Sequence, residues 1–272
     1  MTDQSQPLRD QLNRSGVPFQ LAVENLIRRE AGKTEVEVVG REIPWSRGFI
    51  DIVAKKGDRM FFAIECKKVE DKSWSFLLPD SMRDSETRCR LEWFNGRASK
   101  RPDQSRVFCS EWNMAEPSPE SEFCIVPKNT PISSLEAVCS ELLASCHDLL
   151  ENDDKIFLDH EFATMIPVIV TNANLYTCKF KADQISLRTG ELDIKDGEFE
   201  SVDIIRFRKS LVNLPSNPYN TSQMVLSNWT ADRQRTVFLI TPSATVRFFG
   251  GFRSFTSANW GGAPEAFLNP PS

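Results

Sequence analysis

The chain carries 33 Lys and Arg against 38 Asp and Glu across 272 residues, a formal net charge of −5. That balance excludes a surface that coats nucleic acid non-specifically, though a local basic groove remains compatible with it. No stretch reaches the ~20 apolar residues of a membrane helix. The first fifteen residues are polar, so a cytoplasmic protein with a loose N-terminus is expected. Seven cysteines without a CxxC pair, and only two histidines, offer no zinc-ligand pattern.

In chain order, Val17 to Gly32 reads as a helix, with Pro18 in its first turn and Phe19, Val23, Leu26, Ile27 and Ala31 as an apolar stripe. Glu35 to Gly40 reads as a strand. Arg47 to Lys55 and Met60 to Lys68 read as central strands joined by a tight turn at Gly57-Asp58-Arg59. Trp74 to Thr130 is irregular and rich in Pro, Ser, Trp and Arg, with short strands at 107–109 and 123–126; such length marks function or disorder. Ser133 to Leu150 reads as a second helix and Met165 to Thr171 as a buried strand of the parallel type. Further strands are expected at Leu175 to Lys179, Asp203 to Arg208 (an edge strand with one wet face), Val237 to Thr241 and Thr245 to Phe249. The whole describes one α/β domain over residues 16–253, with an insertion at about 72–130 and a tail at 254–272.

The sequence Gly48-Phe49-Ile50-Asp51-Ile52-Val53-Ala54, followed by Ile64-Glu65-Cys66-Lys67-Lys68, places two carboxylates and an amine in apolar surroundings, where isolated charges are costly. Strand alternation puts Glu65 and Lys67 on one face. A three-residue turn sets Asp51 opposite Glu65, whereas an even-numbered loop moves it to the wrong face. A carboxylate pair suits a hard divalent cation, and a nearby lysine can stabilise a phosphate. The bland reading is a solvated strand face with Asp51 at a turn; the apolar neighbours favour a site.

These two segments resemble the core of the PD-(D/E)xK, or restriction-endonuclease-like, nuclease superfamily. The resemblance covers residues 16–70 and, more loosely, the second helix and Pro167-Val168-Ile169-Val170-Thr171. It implies a core of helix, three strands, helix and strand, with a mixed central sheet flanked by helices, here extended by the insertion and extra C-terminal strands. It further implies Mg2+-dependent hydrolysis of DNA phosphodiesters, with Mn2+ able to substitute, in bacterial restriction or defence. Asp51, Glu65 and the backbone carbonyl of Cys66 are the implied metal ligands, and Lys67 the residue beside the attacked phosphate. Ile50 stands where the motif's name has proline, as in many members. Many members carry a further acidic residue on the first helix: Gln20 is the nearest match by position, and Glu24, one turn on, is either that third carboxylate or a solvated residue beside Arg28, Glu42 being a weaker candidate.

Between Met82 and Arg106 the insertion holds seven basic against four acidic residues. Arg83, Arg88, Arg90, Arg97 and Arg101, interleaved with Trp93 and Phe94, are the candidate nucleic-acid contacts, against the alternative of a solvated loop. The competing functions are a catalytically silent nucleic-acid-binding or regulatory protein and an RNA-cleaving enzyme. Cleavage of both duplex strands favours a homodimer, and an activating partner stays open.

Overall fold

A computed structural model of the protein describes residues 5–69, 73–79, 90–98, 106–114, 118–125, 135–157, 162–193, 198–210 and 234–251. It opens with three helices, α1 (Ser5–Arg14), α2 (Val17–Arg29) and the single turn α3 (Ala31–Thr34). Pro18 falls in the first turn of α2, where its missing N–H costs nothing. Helix α1 is an element the sequence analysis did not assign.

Three antiparallel strands follow: β1 (Val36–Trp45), β2 (Gly48–Lys56) and β3 (Met60–Lys67). The β2–β3 connection is the expected three-residue turn. Gly57 takes a φ of 61°, a left-handed conformation that glycine adopts without the steric cost a Cβ brings. Lys56 pairs with Met60 and Ile52 with Ile64, so the next step along this register sets Asp51 opposite Glu65.

Where the sequence suggested irregular chain, the described residues form strands β4 (Ser73–Pro79), β5 (Arg90–Ala98), β6 (Arg106–Met114), β7 (Glu120–Ser121) and β8 (Phe123–Ile125). The short strands expected at 107–109 and 123–126 fall on β6 and β8, whereas β4, β5 and β7 were not expected. After α4 (Leu135–Asn152) and the one-turn α5 (Asp154–Phe157) come β9 (Phe162–Thr171), β10 (Asn174–Phe180), β11 (Phe199–Val202), β12 (Ile204–Lys209), β13 (Arg235–Ile240) and α6 (Thr245–Gly251).

The larger sheet runs β1-β2-β3-β9-β13-β12-β7, with β5 also on β9 and β6 on β5. β3 and β13 both run parallel to β9. On the side of β9 away from β3, β5 pairs with Phe162 to Met165 and β13 with Val168 to Val170. Pro167, which has no N–H to donate, falls between those two partners. The smaller sheet is β11-β10-β4-β8. β3 and β9, parallel neighbours in the first sheet, hand on to β4 and β10, parallel neighbours in the second.

Helices cover both faces of the large sheet. One layer packs Val23 and Ile27 of α2 with Ile52, Phe62, Ile64, Val168, Phe238 and Phe248. The other packs Leu135, Cys139, Leu142, Cys146 and Leu149 of α4 with Val53, Phe61, Ala63, Ile169 and Val237. The molecule is therefore an α/β protein with a mixed sheet between helices.

Two expected elements differ. Thr245 to Phe249 is helix, not strand, because Ala244, Thr245, Phe248 and Phe249 are all buried. That spacing repeats every turn of a helix, whereas a strand would turn adjacent phenylalanines to opposite faces. Both rings instead lie against Phe62. Strand β12 is no wet edge: it lies between β13 and β7, and Ile204 to Phe207 are all buried. Its Arg206 is buried too, donating from Nε and Nη2 to the carbonyl of Ser118 at 3.2 and 2.8 Å. No helix among the described residues is long and apolar enough to cross a membrane.

Candidate active site at the parting of two strands

The β2–β3 ladder stops one residue short of Asp51, and side chains take over there. The N–H of Cys66 donates to Asp51 Oδ2 at 2.7 Å, and the Asp51 carbonyl accepts from Gln20 Nε2 of α2 at 3.1 Å. Gln20 is buried, so this bond satisfies two groups that would otherwise be desolvated without partners. Gln20 thus supports the backbone of Asp51 and does not meet its carboxylate.

Lys67 Nζ lies 2.5 Å from Glu65 Oε1, two residues apart on one face of β3. Across β2, the register of Arg41 with Ile52 and Ile43 with Ile50 leaves Glu42 facing Asp51. Glu42 holds a φ of 48°, a left-handed conformation that costs a residue with a Cβ about 1–2 kcal/mol. Strain of this kind concentrates at functional sites.

The electrostatics follow from burial. Desolvation pushes the Asp51 carboxyl above the ordinary carboxylate range, against the lowering pull of the Cys66 N–H and the Lys67 charge. Glu65 is raised likewise, first by burial and then by repulsion from Asp51, with Lys67 opposing and Glu141 adding to the rise. The Cys66 thiol is pushed up strongly by burial beside the same two carboxylates, so it is no nucleophile.

Glu65 and Lys67 form one wall of a cleft of about 150 Å3. The facing wall is α4, through Val138, Glu141, Leu142 and Ser145, and the β1–β2 hairpin tip closes the end with Trp45, Arg47, Gly48 and Phe49. Asp51 is not among the residues that line the cleft, but its charge is felt by Glu65 and it feels that of Lys67. Sequence reasoning missed Glu141, which looks like any helix surface residue, and the hairpin tip, whose signal was an aromatic on each side of Arg47.

The remaining predicted residues scatter. Glu24 is buried on α2 and committed to Arg28 at 2.8 Å and Arg41 at 3.6 Å. Arg97 is 3 % exposed, bonded through Nη1 to the Leu150 carbonyl and set over the Phe157 ring, so it has no surface to offer a phosphate. Arg90 begins β5. Arg83, Arg88 and Arg101 lie outside the described residues.

The donor set suits a hard dication. Asp51 and Glu65 each keep one carboxylate oxygen that accepts no hydrogen bond from the described residues. Two such oxygens match the way Mg2+ is held, by one or two carboxylates with water completing the octahedron. A complete cage of three or more His, Cys, Asp or Glu side chains is not formed among the described residues. No protein-family model, curated protein or solved structure matches the chain.

Proposed function

We propose that the protein is a Mg2+-dependent nuclease that hydrolyses DNA phosphodiester bonds, serving in bacterial restriction or defence. The observation that carries this reading is the meeting of Asp51, Glu65 and Lys67 where β2 and β3 part, with two of the three lining one narrow cleft. The mixed order β1-β2-β3-β9, covered by α2 and α4, supports it as the core implied by the resemblance.

Asp51, Glu65 and the carbonyl of Cys66 would hold the ion. A bound Mg2+ supplies Lewis-acid polarisation of a phosphoryl oxygen and lowers the pKa of a water. The chain's own contribution is positional. The Cys66 N–H and Gln20 amide fix Asp51 from both ends. Lys67, pulled toward Glu65 but still partly exposed, presents a positive charge to the non-bridging oxygens of a phosphate in the cleft and offsets the negative charge that develops there.

One observation favours a second reading. The Glu65–Lys67 pair already satisfies both charges without a cation, as a catalytically silent binding protein on this fold would require. Incubation with supercoiled plasmid, linear duplex, single-stranded DNA and RNA, with and without Mg2+, decides between them. The nuclease reading expects Mg2+-dependent cleavage of DNA, lowered about a hundredfold or more in Asp51→Ala and Glu65→Ala. Cleavage of RNA alone would make it a ribonuclease, and binding without cleavage a silent scaffold.

A further inference from the structure

The tip of the β1–β2 hairpin projects an aromatic and a cation at the mouth of the cleft. Phe49 is 64 % exposed and lines the cleft beside Glu65 and Lys67. Trp45 packs its indole on the α4 side of the core, and the Arg47 guanidinium lies over that ring at 5.1 Å. The tip is anchored to α4, since the Ser46 N–H donates to Asp148 Oδ2 at 3.0 Å. The result is a braced platform: one seated aromatic, one guanidinium over it, and one bare phenyl ring.

Phe49 lines the same cleft as Glu65 and Lys67. With a phosphate at Glu65 and Lys67, the adjacent base comes within reach of the exposed Phe49 ring. A base paired inside a duplex is stacked on both faces and has none to offer a protein ring; an unpaired base has. Arg47 in the β1–β2 turn and Lys67 on β3 carry the charge that complements phosphates along a strand in the cleft.

We infer that the substrate is single-stranded DNA, or DNA unpaired at the scissile nucleotide, gripped by base stacking on Phe49 and phosphate contact through Arg47. This deepens the nuclease reading and rests on it for the position of the phosphate.

Direct binding tests it without requiring cleavage. Fluorescence anisotropy in EDTA would compare a labelled 20-nucleotide single strand with its blunt duplex and with an RNA strand, for the wild type, Phe49→Ala, Phe49→Trp and Arg47→Ala. The single DNA strand should bind at least about tenfold more tightly than the duplex. Phe49→Ala should weaken it by about tenfold, on the stacking worth of a base on an aromatic, while Phe49→Trp holds the affinity. Arg47→Ala should reduce the salt dependence of log K by about 0.7 for the lost phosphate contact. Both side chains are on the surface, and unchanged melting temperatures would show the variants folded. Duplex bound as tightly as single strand, or affinity unmoved by Phe49→Ala, would overturn the inference. RNA bound more tightly than DNA would overturn its choice of sugar. The two readings fail separately: DNA cleavage with an inert Phe49 leaves the nuclease without this grip, and a Phe49-dependent single-strand affinity without Mg2+-dependent cleavage leaves the grip without the nuclease.

Discussion

Asp51 and Glu65 are charges the fold would sooner neutralise. Both carboxyls have raised pKa values, chiefly through burial, so the folded state holds their protons more tightly than the unfolded chain does. Stability from this source is therefore fully present below the ordinary carboxylate range and is lost as pH rises through the raised values. Asp51→Asn should accordingly melt higher than the wild type at pH 7, with the gain vanishing in acid; its amide oxygen can still accept from the Cys66 N–H. Thermal melts at pH 7 and pH 3.5 check this, and an equal or lower melting temperature at pH 7 would contradict it. The same two groups predict the acid limb of activity. In the proposed nuclease mechanism both are ionised, so the limb should sit above the ordinary carboxylate range at low Mg2+ and move to lower pH as Mg2+ is raised, because the cation competes with protons for the same oxygens.

The β2–β3 hairpin is the element that makes the site, and its turn decides the register. Gly57 has open space around it but a left-handed φ, so Gly57→Ala should cost about 1 kcal/mol from backbone alone, read by denaturant unfolding. Removing the Gln20 amide should cost more. Gln20→Ala leaves the Asp51 carbonyl without its partner, about 1–3 kcal/mol, and should lower activity by loosening Asp51 even though Gln20 touches no substrate. This hairpin was legible in the sequence because a period-two pattern and a glycine turn fix both face and pairing. The parting of the strands at Asp51 was not, since it depends on a side chain replacing a backbone partner. Helix α6 was illegible for a related reason: seven residues contain too few turns to separate helix from strand, and the decision falls to packing against Phe62 and Phe238. Phe249→Ala should therefore cost about 3–5 kcal/mol, as for other large buried rings.

At the scale of the whole molecule, basic residues in sequence proved a poor guide to basic surface. The insertion supplies Arg97, yet that residue is consumed inside the fold, joining β5 to the C-terminal end of α4. Arg206 is likewise spent on the carbonyl of Ser118. Sequence charge counts say nothing about which arginines are buried, because burial is settled by long-range strand pairing such as β5 on β9. Among the described residues, the cations that line the cleft, Arg47 and Lys67, come from the short core segment. Arg97→Ala should thus unfold the protein at lower denaturant while leaving the salt slope of DNA binding unchanged in the folded fraction.

Divalent-cation binding is the most direct test, because everything proposed for this protein turns on Asp51 and Glu65 sharing an ion. Titration calorimetry with Mn2+ should show a site in the wild type that is lost, or weakened more than tenfold, in both Asp51→Asn and Glu65→Gln, and kept in Glu24→Gln. Equal Mn2+ affinity in the wild type and in either site variant would contradict the account.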